Sequence, residues 1–183
     1  MRNKTRHRLA GDPTETEIIE RIIRVDHAGE FGAKRIYAGQ LAVLGKSEYA
    51  STIKHMAEQE EKHLDYFSQA ISDRHVRPTA LLPLWHAAGF ALGAATALMG
   101  PKAAMACTVA VEEAIDEHYR NQLDVLPEKE EPLKQAITEF RAEELEHRDI
   151  GLENQAEEAP GFEVMSFFIK RGSKLAIWLS ERI

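Results

Sequence analysis

The chain has 183 residues with 44% apolar and 29% charged side chains, enough for one globular domain and too little for two. Thirty acidic against 23 basic residues leave a formal charge of -7, so the basic footprint that nucleic-acid binding requires is absent. The single cysteine, Cys107, excludes an internal disulfide framework and any four-cysteine zinc or iron-sulfur site, and the eight histidines are the larger resource for metal chemistry.

Residues 1–13 are basic at Arg2, Lys4, Arg6 and Arg8 but carry no apolar core of a secretory signal. They read as a short disordered arm. Asp12-Pro13-Thr14-Glu15 then reads as a helix start, with an N-cap acceptor, a proline at the first position and an acid behind it. Ile19, Ile23, Asp26, Glu30, Ala33, Tyr37, Leu41 and Leu44 share one stripe of a helix that Gly45 can end. Ile53, Met56, Glu60, His63, Phe67 and Ala70 form a second stripe, on an antiparallel helix ending before Arg77-Pro78.

From Pro78 to Pro101 no Asp, Glu, Lys or Arg occurs in 24 residues, and Pro83, Gly89, Gly93 and Gly100 interrupt the segment. About 16 uninterrupted helical residues fall short of the roughly 20 that a spanning helix needs. The segment is therefore expected to lie on a membrane surface or pack on the bundle. A third stripe carries Met105, Thr108, Glu112, Ile115, Tyr119, Gln122 and Leu126 up to a loop at Pro127. The fourth carries Leu133, Ile137, Phe140, Glu144, His147 and Gly151 and is expected to run to Pro160-Gly161. A last amphipathic helix from Phe162 to about Arg182 sets Phe167, Phe168, Trp178 and Leu179 beside Lys170, Arg171 and Lys174. No segment alternates with period two, so an all-α fold is expected.

Each of the four long stripes places a glutamate among apolar residues: Glu30, Glu60, Glu112 and Glu144. Unpaired buried carboxylates are expensive, and four converging ones would be prohibitive. In two stripes a histidine follows three residues later, as Glu60-x-x-His63 and Glu144-x-x-His147, a spacing that puts both side chains on one helix face. Glu30 and Glu60 are 30 residues apart and Glu112 and Glu144 are 32 apart, which marks an internal repeat of a helix hairpin. Four glutamates and two histidines projecting into a four-helix bundle are the ligand set of carboxylate-bridged di-iron and di-manganese proteins. Two divalent ions would neutralise the four carboxylates.

The segments RIIRVDHAGEFGAKRIYAGQLAVLG (21–45), RPTALLPLWHAAGFALGAATALMG (77–100), ACTVAVEEAIDEHY (106–119), FRAEELEHRDIG (140–151) and LAIWLSERI (175–183) resemble the demethoxyubiquinone hydroxylases of ubiquinone biosynthesis. The resemblance covers nearly the whole chain after the arm. It implies a ferritin-like four-helix bundle over 14–183, with 78–101 and 162–182 as candidate membrane-interface helices. It makes Glu30, Glu60, His63, Glu112, Glu144 and His147 the metal ligands of two iron ions and the carriers of catalysis, and selects Glu112 over Glu113 and Glu144 over Glu143. Glu60 and Glu144 are expected to bridge both irons, with Glu30 and Glu112 binding one each.

By the same resemblance the reaction is an O2-dependent monooxygenation that hydroxylates the ring of a polyprenylated methoxy-methyl-benzoquinol. No G-x-G-x-x-G fingerprint after a strand and no cluster cysteines are present, so the two electrons are expected from an external donor. The long targeting extension of mitochondrial members is missing, which points to a bacterial protein held peripherally on the cytoplasmic face of the inner membrane. Expected partners are the quinol, the membrane surface, and a second copy of the chain through Gly89-x-x-x-Gly93 or a protein of quinone biosynthesis.

Asp26, one turn before Glu30, is positioned to accept from the ring N–H of a ligating histidine or to be a partly solvated helix acid. Tyr37, Thr108 and Tyr119 are core residues or line the site. Cys107 reads as a small core residue. Two other functions share these features. An iron oxidase of the ferritin or rubrerythrin kind would use the same six ligands without the uncharged segment, and a non-catalytic quinone- or lipid-binding bundle would not need the metal.

Overall fold

The computed structural model describes residues 11–183, so most of the expected arm lies outside the described residues. They form six α-helices, α1 (Glu15–Leu44), α2 (Ala50–Asp73), α3 (Leu82–Leu98), α4 (Pro101–Val125), α5 (Glu131–Glu153) and α6 (Phe162–Ser180), joined by turns and two short 3-10 segments. No strand occurs among the described residues. The all-α expectation holds, and the architecture is a ferritin-like bundle of α1, α2, α4 and α5 with α3 and α6 added.

The start of α1 lies further along than expected. Thr14, not Asp12, is the N-cap: its hydroxyl accepts from the Glu17 N–H at 3.1 Å, and Glu17 accepts the Thr14 N–H at 2.6 Å. That reciprocal box satisfies two backbone donors at once. α2 returns along α1, as the contacts Tyr37 to Met56, Lys34 to Glu61 and Glu30 to His63 show. α5 ends at Glu153, before the expected Pro160-Gly161, because Gln155 takes a left-handed conformation (φ 62°) and a 3-10 turn follows.

The apolar stripes bury two separate clusters. One gathers Ile19, Ile23, Phe67, Ile115, Leu133 and Ile137, and the other Tyr37, Ile53, Met56, Met105 and Val109. Along every bundle helix the acidic positions fall between these two. Apolar packing above and below is what removes water from the level of Glu30, Glu60, Glu112 and Glu144.

α3 crosses α1 backbone to backbone. A methyl group on Gly93 would overlap the Ile36 carbonyl, and one on Gly39 the Phe90 carbonyl, while at Gly89 it would lie 2.9 Å from the Gly32 carbonyl. Small residues allow this approach. The Gly89-x-x-x-Gly93 face expected to pair with a second copy is thus occupied by α1 of the same chain.

α6 lies on α4 and is pinned there by ion pairs from Lys170 to Glu113 and from Lys174 to Glu117, the latter at 2.6 Å. Two of the three basic residues expected to face a membrane are therefore turned to α4. The third, Arg171, stacks over Phe167 at 5.3 Å. Val164, Phe167, Phe168, Leu175 and Trp178 of α6 and Leu84 and Leu98 of α3 remain exposed. No helix among the described residues is long and apolar enough to cross a membrane.

Candidate metal centre

Glu30 comes from α1, Glu60 and His63 from α2, Glu112 from α4, and Glu144 and His147 from α5, and all six are buried. Their ligand atoms gather in two sets, each within 4.8 Å: Glu30, Glu60, His63 and Glu144 in one, Glu60, Glu112, Glu144 and His147 in the other. Glu60 and Glu144 belong to both sets. Glu30 and Glu112 each belong to one. His63 Nδ1 lies 3.2 Å from a Glu144 oxygen and 3.4 Å from a Glu30 oxygen. His147 Nδ1 lies 3.2 Å from a Glu60 oxygen and 3.3 Å from a Glu144 oxygen.

The cluster fits metal ions better than it fits itself. Both oxygens of Glu60 and of Glu144, one oxygen each of Glu30 and Glu112, and Nδ1 of both histidines are buried without a hydrogen-bond partner. Buried polar atoms are ordinarily satisfied, and here the orphans converge. Their donor set, carboxylate oxygen and imidazole nitrogen, suits iron or manganese.

Without ions the group holds protons instead. Burial, then the charges of Glu144 and Glu30, push the Glu60 carboxyl well above its ordinary range, and burial with Glu144 and Glu60 does the same to Glu112. Burial opposes charge on His63, but the facing Glu144 and Glu30 overcome it and raise the imidazole to about 12. Burial likewise opposes charge on Glu144, yet His147 and His63 hold it at about 2.

The surrounding contacts repeat in the two halves. Tyr37 of α1 donates to Glu112 Oε1 at 2.8 Å, and Tyr119 of α4 donates to Glu30 Oε1 in a short hydrogen bond. Each tyrosine stands seven positions after its own helix's glutamate and reaches across to the other's. Gln122 donates to Asp26 at 2.6 Å, and its counterpart Gln40 donates to the Ala104 carbonyl at 3.1 Å and to Thr108 at 3.4 Å. His63 Nε2 bonds Glu143 Oε2 at 2.7 Å, and His147 Nε2 bonds Gln59 Oε1 at 3.0 Å. With an oxygen acceptor on Nε2, each ring turns Nδ1 to the cluster.

Asp26 contacts neither His63 nor His147. It is buried against Gln122 and His118, the latter at 3.3 Å. Gln59 and Glu143 orient the two rings, and they directly precede Glu60 and Glu144 in sequence. Glu113, the alternative to Glu112, faces Lys170 outside the cluster. Tyr37 and Tyr119 line the site, Thr108 is buried beside Gln40, and Cys107 is buried with its thiol pushed up to about 12 by desolvation. That fits a small inert core residue.

A cavity of about 330 Å³ lies between α1, α3, α4 and α6. Its walls include Val25, Gly29, Trp85, Val111, Ile115 and Ala176. Gly29 and Val111 are the chain neighbours of Glu30 and Glu112. The Trp85 indole N–H donates to Ser180 Oγ at 2.9 Å and ties α3 to α6 across this space.

A four-helix bundle with two Glu-x-x-His helices and two further inward glutamates defines the class of carboxylate-rich metal proteins built on the ferritin-like fold. Residues 17–180 match the family described as Ubiquinone biosynthesis protein COQ7, and the chain belongs to that family. It is 59% identical over 183 residues to the 3-demethoxyubiquinol 3-hydroxylase of Rhodospirillum rubrum, covering 100% of this chain and 86% of that one. With the NADPH-dependent 3-demethoxyubiquinone 3-hydroxylase, mitochondrial, of Homo sapiens the identity is 52% over 189 residues, covering 100% of this chain and 87% of the relative. With the 5-demethoxyubiquinone hydroxylase, mitochondrial, of Saccharomyces cerevisiae it is 41% over 186 residues, covering 92% and 80%.

Proposed function

We propose that this protein is the monooxygenase of ubiquinone biosynthesis that hydroxylates the ring of demethoxyubiquinol with O2, using two iron ions held by Glu30, Glu60, His63, Glu112, Glu144 and His147. The observation that carries it is the convergence of eight unpartnered ligand atoms at the level where two helix hairpins meet, in a chain 59% identical to a protein of that name. Bound iron supplies the reduction of O2 and the transfer of one oxygen atom to the ring.

The chain's own residues do the rest. Tyr37 and Tyr119 fix the orientation of Glu112 and Glu30. Gln59 and Glu143 fix the two imidazoles. The cavity between α1, α3, α4 and α6 is lined almost wholly by apolar side chains, so it suits a quinol ring with an isoprenoid tail and keeps water from the ring. The two electrons come from an external donor, in keeping with the words NADPH-dependent in the human relative's name.

The two helices that carry the exposed aromatic and aliphatic side chains, α3 and α6, also contribute walls to this cavity. They seat the protein on one leaflet, from which the tail enters. In a bacterial cell that surface is the cytoplasmic face of the inner membrane. The test is a single turnover of anaerobically reconstituted protein with a short-tailed demethoxyubiquinol and labelled O2. One labelled oxygen atom in the quinol product is expected; iron-dependent O2 uptake with no change in the quinol would favour an iron oxidase instead.

A further inference from the structure

The two halves of the centre are built from corresponding positions, and they differ in charge. Asp26 stands where the other half has Thr108, and Glu143 where it has Gln59, each pair holding the same place relative to its ligand glutamate. Asp26, one turn before Glu30, is turned to His118 and Gln122, while Glu143 bonds His63 and so adjoins the position formed by Glu30, Glu60, His63 and Glu144. The position of Glu112 and His147 has a hydroxyl and a neutral amide instead.

Resting on the metal-centre reading above, we infer that the two positions are unequal, the one on His63 taking its divalent ion first and more tightly because Glu143 acts as its positioning residue. A carboxylate accepting from Nε2–H draws the proton toward itself, so Nδ1 becomes a stronger donor to a cation; an amide oxygen does this more weakly. Such partners change metal affinity by about 10- to 100-fold. The contacts support the direction: His63 to Glu143 is 2.7 Å, and His147 to Gln59 is 3.0 Å.

The test is calorimetric and optical titration of metal-free protein with Co2+ alone, a redox-stable probe whose visible bands report each bound ion. Wild type should bind in two unequal steps. Glu143→Gln should weaken the tight step by about 10- to 100-fold and bring the two together. Gln59→Glu should tighten the weak step, a gain that damaged packing cannot produce and that does not depend on the Glu143 variant folding. Two equal steps in wild type, or isotherms unmoved by both substitutions, would overturn the inference while leaving the metal centre standing. No Co2+ binding in wild type would overturn both.

Discussion

The Tyr37 hydroxyl reaches from one helix hairpin to Glu112 on the other, donating to its Oε1 at 2.8 Å. Burial foremost, then the charge of Glu112, pushes this phenol well above the ordinary tyrosine range, and burial with Glu30 does the same for Tyr119. Both hydroxyls therefore stay protonated and act only as donors. They hold the Glu112 and Glu30 carboxylates in place and cross-link the two halves of the repeat.

Loss of one of these donors should loosen the centre without emptying it. Tyr37→Phe removes a hydrogen bond to a buried carboxylate, for which about 1 to 3 kcal/mol is typical. Co2+ titration should show weaker binding at unchanged stoichiometry, with the helical spectrum intact. Unchanged affinity would mean that Tyr37 only fills space.

The metal-free protein should become less stable as pH rises. Glu60 and Glu112 are raised above their unfolded values, so the stability they contribute is complete below about pH 4.5 and falls as pH climbs toward their folded values. His63, raised to about 12, adds to the fall above its unfolded value near 6.5. Glu144, held at about 2, keeps its contribution through this window and loses it only in strong acid. The melting temperature of chelator-treated protein should therefore drop between about pH 5 and pH 9. Divalent metal should reverse that trend, because ions replace the protons. A melting temperature of the metal-free form that rises with pH would contradict this balance.

The cavity should be separable from the centre. Gly29 lines the cavity, and a Cβ added there has no neighbouring atom within 4 Å, so Gly29→Leu starts from open space at the cavity wall. The variant should keep its metal and its fold while kcat/KM for the quinol falls by about 10- to 100-fold, the range in which misfit by a few carbons is felt. Unchanged kinetics would place the substrate elsewhere.

Membrane seating should depend on the outer face of α6. Phe168 and Trp178 are 67% and 51% exposed, and burying such a side chain in an apolar phase contributes about 1.5 to 3 kcal/mol. Phe168→Glu with Trp178→Glu should abolish sedimentation with liposomes and leave metal content unchanged. Co-sedimentation equal to wild type would show that this face does not meet the bilayer.

The bundle and the convergence of six inward Glu and His side chains are legible because each glutamate interrupts an apolar stripe, and burial of four carboxylates has few solutions other than a cation. The stripes do not say which helix meets which small-residue face, so Gly89 and Gly93 read equally well as a contact with a second copy or with α1. Asp26 shares a stripe with Glu30, yet one turn of helix moves it from the cluster to the His118 and Gln122 edge. Gln59 and Glu143 gave no signal because their role comes from the facing helix, whose histidine ring ends beside them. Lys170 and Lys174 looked like a free basic face until the glutamates of α4 came opposite them.

Iron per chain should be measured after anaerobic reconstitution of wild type and of the Glu60→Ala/Glu144→Ala double variant, which removes both carboxylates common to the two positions. Two irons per wild-type chain, lost in a double variant that still folds as a helical bundle, is the expected result. A wild-type protein that binds no iron, or a double variant that keeps both, would contradict it.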